Sequence, residues 1–533
     1  MSVQMPQHHT PPHEAVAGTR GVASSAYPLA TEAALEILRK GGSAVDAAIA
    51  AGAVLTVVMP TAGALGGDVF FLVSGASGEV RAVNGSGAAP LAATHGLYAG
   101  MGSIPDAGWR ASTVPGMVDG WRAAHDRWGK LPWRDLFEAA IHYAAEGFVV
   151  TPSLHQRFAM GADKFRQFPE TARIFLAEGY PPEAGEILKQ PDLANTFLTI
   201  AEEGPDAFYE GPIARAIVEA SARRDGLFSY EDFARHTTPE PEPISVQYRD
   251  TTVYGQPPVS QGIILLMALG ALNEFDLAAH GPGTADTVHL QVEAIKQGFA
   301  DRVANLGDPD HVDVPIAHML SAEESRRRAR GIDPARRSNI LFEPAHADTT
   351  SLVTADAEGN LVSYIHSLYA GSGVVVPGTG IMMNNRLCGF SLDPASPNVL
   401  AGGKRPVHTL NQVLVQRGDD VFAVCTPGAN LQVQHNLQVI SQLVDFGADM
   451  QAAVDAPRWS MGDQMVIGDD QLMVEDRFGA DVIDDLARRG HNTVMAPAWQ
   501  VGGGIQVARI NRRSGALYAA RDPRRATNLA SAI

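Results

Sequence analysis

Asp348-Thr349-Thr350-Ser351-Leu352-Val353-Thr354-Ala355, then Asp356-Ala357-Glu358-Gly359-Asn360, then Leu361-Val362-Ser363-Tyr364-Ile365, reads as a β-hairpin with a threonine at its head. Leu352 to Ala355 and Leu361 to Ile365 are rich in the apolar and β-branched residues that suit strands. The five residues between them carry Asp, Gly and Asn, which accept the backbone angles of a tight turn. On local composition alone, Asp348-Thr349-Thr350-Ser351 is an ordinary polar entry into a strand.

Working outward from the hairpin, Val421 to Cys425 reads as another strand. Thr426-Pro427-Gly428-Ala429 reads as a tight turn, and Val433, Leu437, Ile440 and Val444 as the inner face of a helix. Strand, bend and helix N-terminus therefore meet near Gly428. Upstream, Val288, Val292, Ile295 and Phe299 recur on one helical face, and the stretch from Pro115 to about Arg330 is mostly helical by pattern. Near the start, a helix from Thr31 to Arg39 is expected, capped by Thr31 and stopped at Gly41-Gly42. A second helix from Ser43 follows, its apolar run Ala47 to Met59 leading into a strand. Val69 to Val73 and Val80 to Val83 flank Gly75-Ala76-Ser77-Gly78 as a further hairpin. Helices and hairpins without regular βαβ alternation point to an α+β layered fold.

The composition narrows the function classes. The 533 residues are 45 % hydrophobic and 19 % charged, enough to build a large core, and the formal net charge is −18. That charge repels phosphate backbones, so a nucleic-acid partner is not expected. Two cysteines, Cys388 and Cys425, support neither a disulfide framework nor a cysteine metal site. Met1 to Glu14 lack the apolar core of a signal peptide, and no apolar run is long enough for a bilayer. A cytoplasmic location with no membrane partner is the default expectation. Residues 1–17 read as a disordered polar tail. No G-x-G-x-x-G, Walker loop, H-E-x-x-H or G-x-S-x-G occurs in the required context.

The reading changes once ordered motifs are set side by side. Asp348-Thr349-Thr350 with its hairpin, Gly371-Ser372-Gly373, Asn384-Asn385-Arg386, Gly403-Lys404-Arg405-Pro406, Thr426-Pro427-Gly428, Ala456-Pro457-Arg458 and Asp522-Pro523-Arg524 follow one another in order. Together with Gly41 to Ala48, Gly66-Gly67-Asp68 and His289 to Arg302, this series resembles the γ-glutamyltransferases, self-processing members of the N-terminal-nucleophile hydrolases. The likeness extends over nearly all of the chain after Gly18. It implies an αββα sandwich cut between Asp348 and Thr349 into a large subunit (18–348) and a small subunit (349–533). The two would form a heterodimer, with further dimerisation left open.

By the same resemblance Thr349 is the nucleophile and its freed α-amine the base, so neither a metal nor an organic cofactor is implied. Ser367 orients the threonine hydroxyl, and the backbone N–H groups of Gly428 and Ala429 hold the oxyanion. The family's arginine and aspartate for a glutamyl headgroup fall here on Ser86 and Gly389. Its paired serines become His408 and Thr409, and an asparagine becomes Tyr369. These departures, with Leu65 to Asp68 and Asn385 to Pro394, resemble the oxamate-cleaving branch more than the glutathione-cleaving one. Ser86, Tyr369, Arg386, His408 and Thr409 are the expected substrate wall. Arg386 suits a small carboxylate, unless it pairs only with Asp393 or another nearby acid, and His408 suits a donor to that carboxylate or to a polar leaving group, unless it is a satisfied wall residue. A γ-glutamyl hydrolase or transferase is the alternative activity, and an uncut, silent binding homologue the alternative of another class.

Overall fold

In the computed structural model, which describes residues 13–340, 348–462 and 471–533, the hairpin is the centre of the molecule. Asp348–Asp356 and Leu361–Tyr369 pair antiparallel, with Ile365 opposite Ser351 and Leu361 opposite Ala355. Both faces of these strands are apolar because both are covered. Leu352, Val362 and Tyr364 point to one cluster of helices, while Val353, Ala355, Leu361 and Ile365 point to a second sheet.

The hairpin lies within a six-stranded antiparallel sheet ordered Leu529–Ala532, Gly21–Ser25, Asp348–Asp356, Leu361–Tyr369, Asp68–Ser74, Val80–Gly85. Facing it is a seven-stranded antiparallel sheet ordered Val16–Gly18, Ala516–Arg521, Gln506–Asn511, Asp420–Cys425, Val413–Arg417, Thr251–Gly255, Ile244–Tyr248. Phe70, Leu72, Leu414, Ala423 and Ile510 fill the space between the two. Outside the six-stranded sheet lie helices that include Pro28–Arg39, Ala44–Val58 and Met117–Trp128. Outside the seven-stranded sheet lie Gly262–Leu272, Ala285–Asn305 and Leu431–Val444. The order of layers is αββα, the expected sandwich. Among the described residues no helix is long and apolar enough to cross a membrane.

Ala44–Val58 is buried along its whole length, which its run of alanines permits by letting backbones approach closely. Ser43 caps it through a reciprocal pair with Asp46, each side chain accepting the other's backbone N–H.

The structure corrects four sequence expectations. Thr31 does not cap the first helix, which starts three residues earlier on Pro28, the preferred first-turn proline. The Thr31 hydroxyl instead donates to the Leu529 carbonyl at 3.0 Å. The apolar run ending at Met59 leads into turns, and the next strand waits until Asp68. Ile244–Tyr248 and Thr251–Gly255 form an edge hairpin within the stretch read as helical. Residues 1–12 of the expected disordered tail lie outside the described residues. Its last residues are ordered: His13 Nδ1 lies 3.0 Å from Asp455 Oδ2, and Val16 pairs with Ala519 in the sheet. Backbone pairing is available there because Ala516–Arg521 would otherwise be an open edge.

Candidate active site

Strand alternation places the chemistry. Ser351 and Val353 face the second sheet, so Thr349 does as well. Ser367 faces the same way, two residues on from Ile365, and Asp68 is its in-register partner on the next strand. Thr349, Ser367 and Asp68 thus form a row across three adjacent strands on the inter-sheet face. Asp68 stands two strand spacings, about 10 Å, from the threonine.

All three side chains are fully buried. The Thr349 hydroxyl donates to Ser367 Oγ at 3.2 Å, and Ser367 Oγ accepts the Tyr369 N–H at 2.9 Å. Close packing behind the row depends on Gly67, where a Cβ would lie 2.4 Å from the Ser367 carbonyl oxygen. Of the expected cleavage site, the Asp348 backbone opens the strand opposite Tyr369.

The Gly428 turn is delivered to this row by its own strand. Val424 O accepts the Ser363 hydroxyl at 3.1 Å, and Cys425 Sγ lies 3.3 Å from Leu352 O, which ties the two sheets together just before the bend. Gly428 (φ +114°) and Ala429 (φ +50°) are both left-handed, a geometry in which glycine carries no Cβ strain. Among the described residues neither of their N–H groups is engaged by a backbone carbonyl. The helix Leu431–Val444 begins at once, so its positive end lies beside the turn. Unengaged N–H groups next to a helix N-terminus can receive developing negative charge.

On the other side of the row is a charged wall. Asp68 Oδ2 accepts His408 Nε2–H at 3.0 Å and lies 3.4 Å from Arg386 Nε, while Asp68 Oδ1 accepts Gly87 N–H at 3.1 Å. Arg386 reaches Thr409 Oγ1 through Nη1 at 3.4 Å, and its Cζ lies 4.7 Å from the centre of the Tyr369 ring. Arg386 Nε and Nη2 are buried and have no hydrogen-bond partner among the described residues, the contact of Nε with Asp68 being an ion pair. Burial draws the Arg386 guanidinium below its ordinary range, and Asp68 pulls it back up. Arg386 therefore pairs with Asp68, whereas Asp393 accepts Ala395 N–H in its own turn.

Two wall residues have their side chains engaged within the protein, the satisfied alternative in the case of His408. His408 is spent at both nitrogens, Nε2 on Asp68 and Nδ1 on the Leu410 N–H at 3.4 Å, so it orders the wall and does not offer a donor. Ser86 is fully buried, with its hydroxyl donating to Asn84 Oδ1 at 2.6 Å. At Gly389 a Cβ would lie 3.2 Å from Val407 O, so an aspartate there would need that carbonyl to give by a few tenths of an ångström.

Sequence reading also missed two residues. Asp68 is the one acid in the apolar run Asp68-Val69-Phe70-Phe71-Leu72-Val73, a signal that was available. Gln261 Nε2 donates to both Thr409 O (3.1 Å) and Ala429 O (3.2 Å), joining the charged wall to the Gly428 turn. Nothing in the spacing of Gln261 announces that role.

A separate buried group, His289, Glu293 and His491, is satisfied internally. The two rings meet at 2.8 Å, and Glu293 takes Lys296 Nζ at 3.2 Å and Ser338 N–H at 2.9 Å. Several buried histidines are held far below the ordinary imidazole range, with burial the largest cause: His236 and His408 at about 4, His366 and His491 at about 3. The unfolded chain takes up these protons as pH falls through about 6.5, while the folded chain does not until about 4. Their contribution is thus present above pH 6.5 and is lost on acidification, at about 1.4 kcal/mol per pH unit for each histidine at full slope. Thermal melts from pH 7 to 4.5 are expected to show a steeply falling Tm. A flat profile would contradict the burial of neutral rings.

With the geometry established, known proteins can be set beside it. The Gamma-glutamyltranspeptidase family model matches residues 30–532. The oxamate amidohydrolase proenzyme of Klebsiella pneumoniae is 35% identical over 521 residues, 96% of this chain and 98% of that one. The glutathione hydrolase proenzyme of Escherichia coli is 32% identical, covering 96% and 92%. The crystal structure of cephalosporin acylase from Bacillus halodurans superposes with a TM-score of 0.91 at 34% identity, covering 100% of this chain and 99% of that one. On its sequence, its αββα sandwich and these relatives, the chain belongs to the γ-glutamyltranspeptidase family of N-terminal-nucleophile enzymes, which act on amides.

Proposed function

We propose that the chain cuts itself between Asp348 and Thr349, and that the freed threonine hydrolyses a linear amide whose small acyl group bears a carboxylate, as in oxamate. The supporting observation is the row of Thr349, Ser367 and Asp68, which ends at a buried arginine whose Nε and Nη2 have no hydrogen-bond partner among the described residues. In the precursor, Thr349 Oγ attacks the Asp348 carbonyl carbon and the C–N bond breaks, leaving an ester. Water then opens the ester to an Asp348 carboxylate and a free Thr349 α-amine.

That amine, with a reference pKa of about 7.7–8.0, is partly neutral near pH 7.5 and accepts the hydroxyl proton in turnover. The hydroxyl attacks the substrate carbonyl, and the oxyanion is held by the Gly428 and Ala429 N–H groups. The amine leaves with a proton, and water releases the acid. Arg386 Nη2 takes the acyl carboxylate, and Tyr369 and Thr409 hold the guanidinium plane. The names of two relatives, an oxamate amidohydrolase and an acylase, are consistent with this substrate class.

Intact mass with N-terminal sequencing tests the first step. Fragments of 348 and 185 residues (533 − 348 = 185), the smaller led by Thr349, are expected. A chain that stays whole on incubation would remove the self-processed nucleophile. Ser367→Ala is expected to slow turnover about 10- to 100-fold with KM nearly unchanged, since one hydrogen bond to the nucleophile is lost. A change confined to KM would place Ser367 in substrate binding instead. Glutathione should be a poor substrate, because the wall has no acid at Gly389 to receive the glutamyl ammonium. Turnover of γ-glutamyl anilides at a rate matching oxamate would favour the glutathione-hydrolase reading.

A further inference from the structure

Asp68 is a buried carboxylate separated from the nucleophile by the strand of Ser367, hydrogen-bonded to His408 and ion-paired with Arg386 in the wall. Its Oδ2 takes the His408 Nε2–H and faces Arg386 Nε, while its Oδ1 is anchored by the backbone at Gly87. The Ser367 pairing fixes its height along the sheet, and the tilted Phe70 ring, 4.7 Å from the His408 ring, backs the imidazole. With His408 held neutral between Asp68 and the Leu410 N–H, the wall balances one carboxylate against one guanidinium. Arg386 is then restrained on three sides: Asp68 at Nε, Thr409 at Nη1 and Tyr369 across its face. Nε and Nη2 have no hydrogen-bond partner among the described residues, and of the two it is Nε that faces Asp68, at 3.4 Å, as an ion pair.

We propose that Asp68 is the specificity-setting positioning residue of the acyl wall: it aims Arg386 so that a single corner of the guanidinium meets a single small carboxylate. This inference rests on the amidohydrolase reading above and deepens it. The pocket then distinguishes an anionic acyl amide from its neutral counterpart through a residue that never touches substrate. A free guanidinium would swing and accept anions in several poses. One braced at Nε, Nη1 and its face binds in one pose, which places the acyl carbonyl over the threonine.

The test is the ratio of kcat/KM for oxamate to that for oxamide in the fully processed enzyme, with processing scored separately by mass. Asp68→Asn keeps the shape and the Gly87 anchor but removes the charge. It is expected to lower kcat/KM for oxamate about 10- to 100-fold while oxamide changes only slightly, a loss set by one charge-assisted contact. In an Arg386→Gln background the same change should have little further effect, because Asp68 acts through the arginine. Oxamate protection against thermal unfolding, read on the same variants, should weaken in parallel.

If Asp68→Asn lowers both substrates equally, or keeps the oxamate preference while Arg386→Gln loses it, Asp68 is only structural and the inference fails alone. If wild type neither cleaves nor binds oxamate, the substrate reading fails with it.

Discussion

Thr349→Ala should yield one uncut chain of 533 residues with amidase activity reduced by about 10⁴-fold or more, the scale on which loss of a nucleophile registers in a hydrolase. Both effects have one cause, since the same hydroxyl opens the Asp348 peptide and later attacks substrate. The fold should survive. Thr349 is buried between the sheets, and its Oγ donates to a serine that also holds the Tyr369 N–H. Removing it leaves Ser367 Oγ still partnered, so a cost of about 1 kcal/mol is expected. Thr349→Ser, which keeps the oxygen but frees its rotamer, should cut more slowly than wild type. Mass spectrometry over a time course separates the three proteins. Normal cleavage in the alanine variant would move the scissile bond elsewhere.

How far this site could be read without coordinates depended on which residues act through local sequence. The hairpin headed by Thr349 was legible because strand and turn chemistry are local: apolar runs around Asp356-Ala357-Glu358-Gly359-Asn360 leave few alternatives. The bend at Gly428 was legible for the same reason, as strand, Pro-Gly and amphipathic helix are contiguous. The charged wall was not. Asp68 and His408 lie 340 residues apart in sequence and meet only because one strand places Asp68 beside Ser367, so no spacing rule could pair them. Sequence reasoning named Arg386 and His408 but left each open between a ligand and a partner within the wall, since the spacing did not identify Asp68 as that partner. Ser86 failed in the opposite sense. Its hydroxyl turns inward to Asn84, and an arginine from elsewhere in the chain, Arg405, donates through Nε to its carbonyl oxygen at 3.2 Å.

Arg386→Gln should reduce kcat/KM for oxamate by about 10- to 100-fold, the worth of one charge-assisted contact of roughly 1.5–3 kcal/mol, and leave oxamide within a fewfold of wild type. Stability should fall as well. Asp68 is fully buried, and without the guanidinium its charge faces only a neutral imidazole and one backbone N–H. Stranding a buried ion in this way typically costs about 3–5 kcal/mol. The resulting drop in Tm should be largely recovered by adding Asp68→Asn, which removes the orphaned charge, although oxamate turnover should stay low. Arg386→Lys distinguishes charge from shape: it keeps a cation near Asp68 and so much of the stability, but a point-like ammonium cannot hold Asp68, Thr409 and a substrate carboxylate in one plane. Its oxamate activity should therefore resemble the glutamine variant more than wild type. Self-cleavage should proceed in all three, because Thr349 and Ser367 meet through the hairpin and not through the wall. If Arg386→Gln retained the preference for the anionic amide, the carboxylate would have to be bound by another residue.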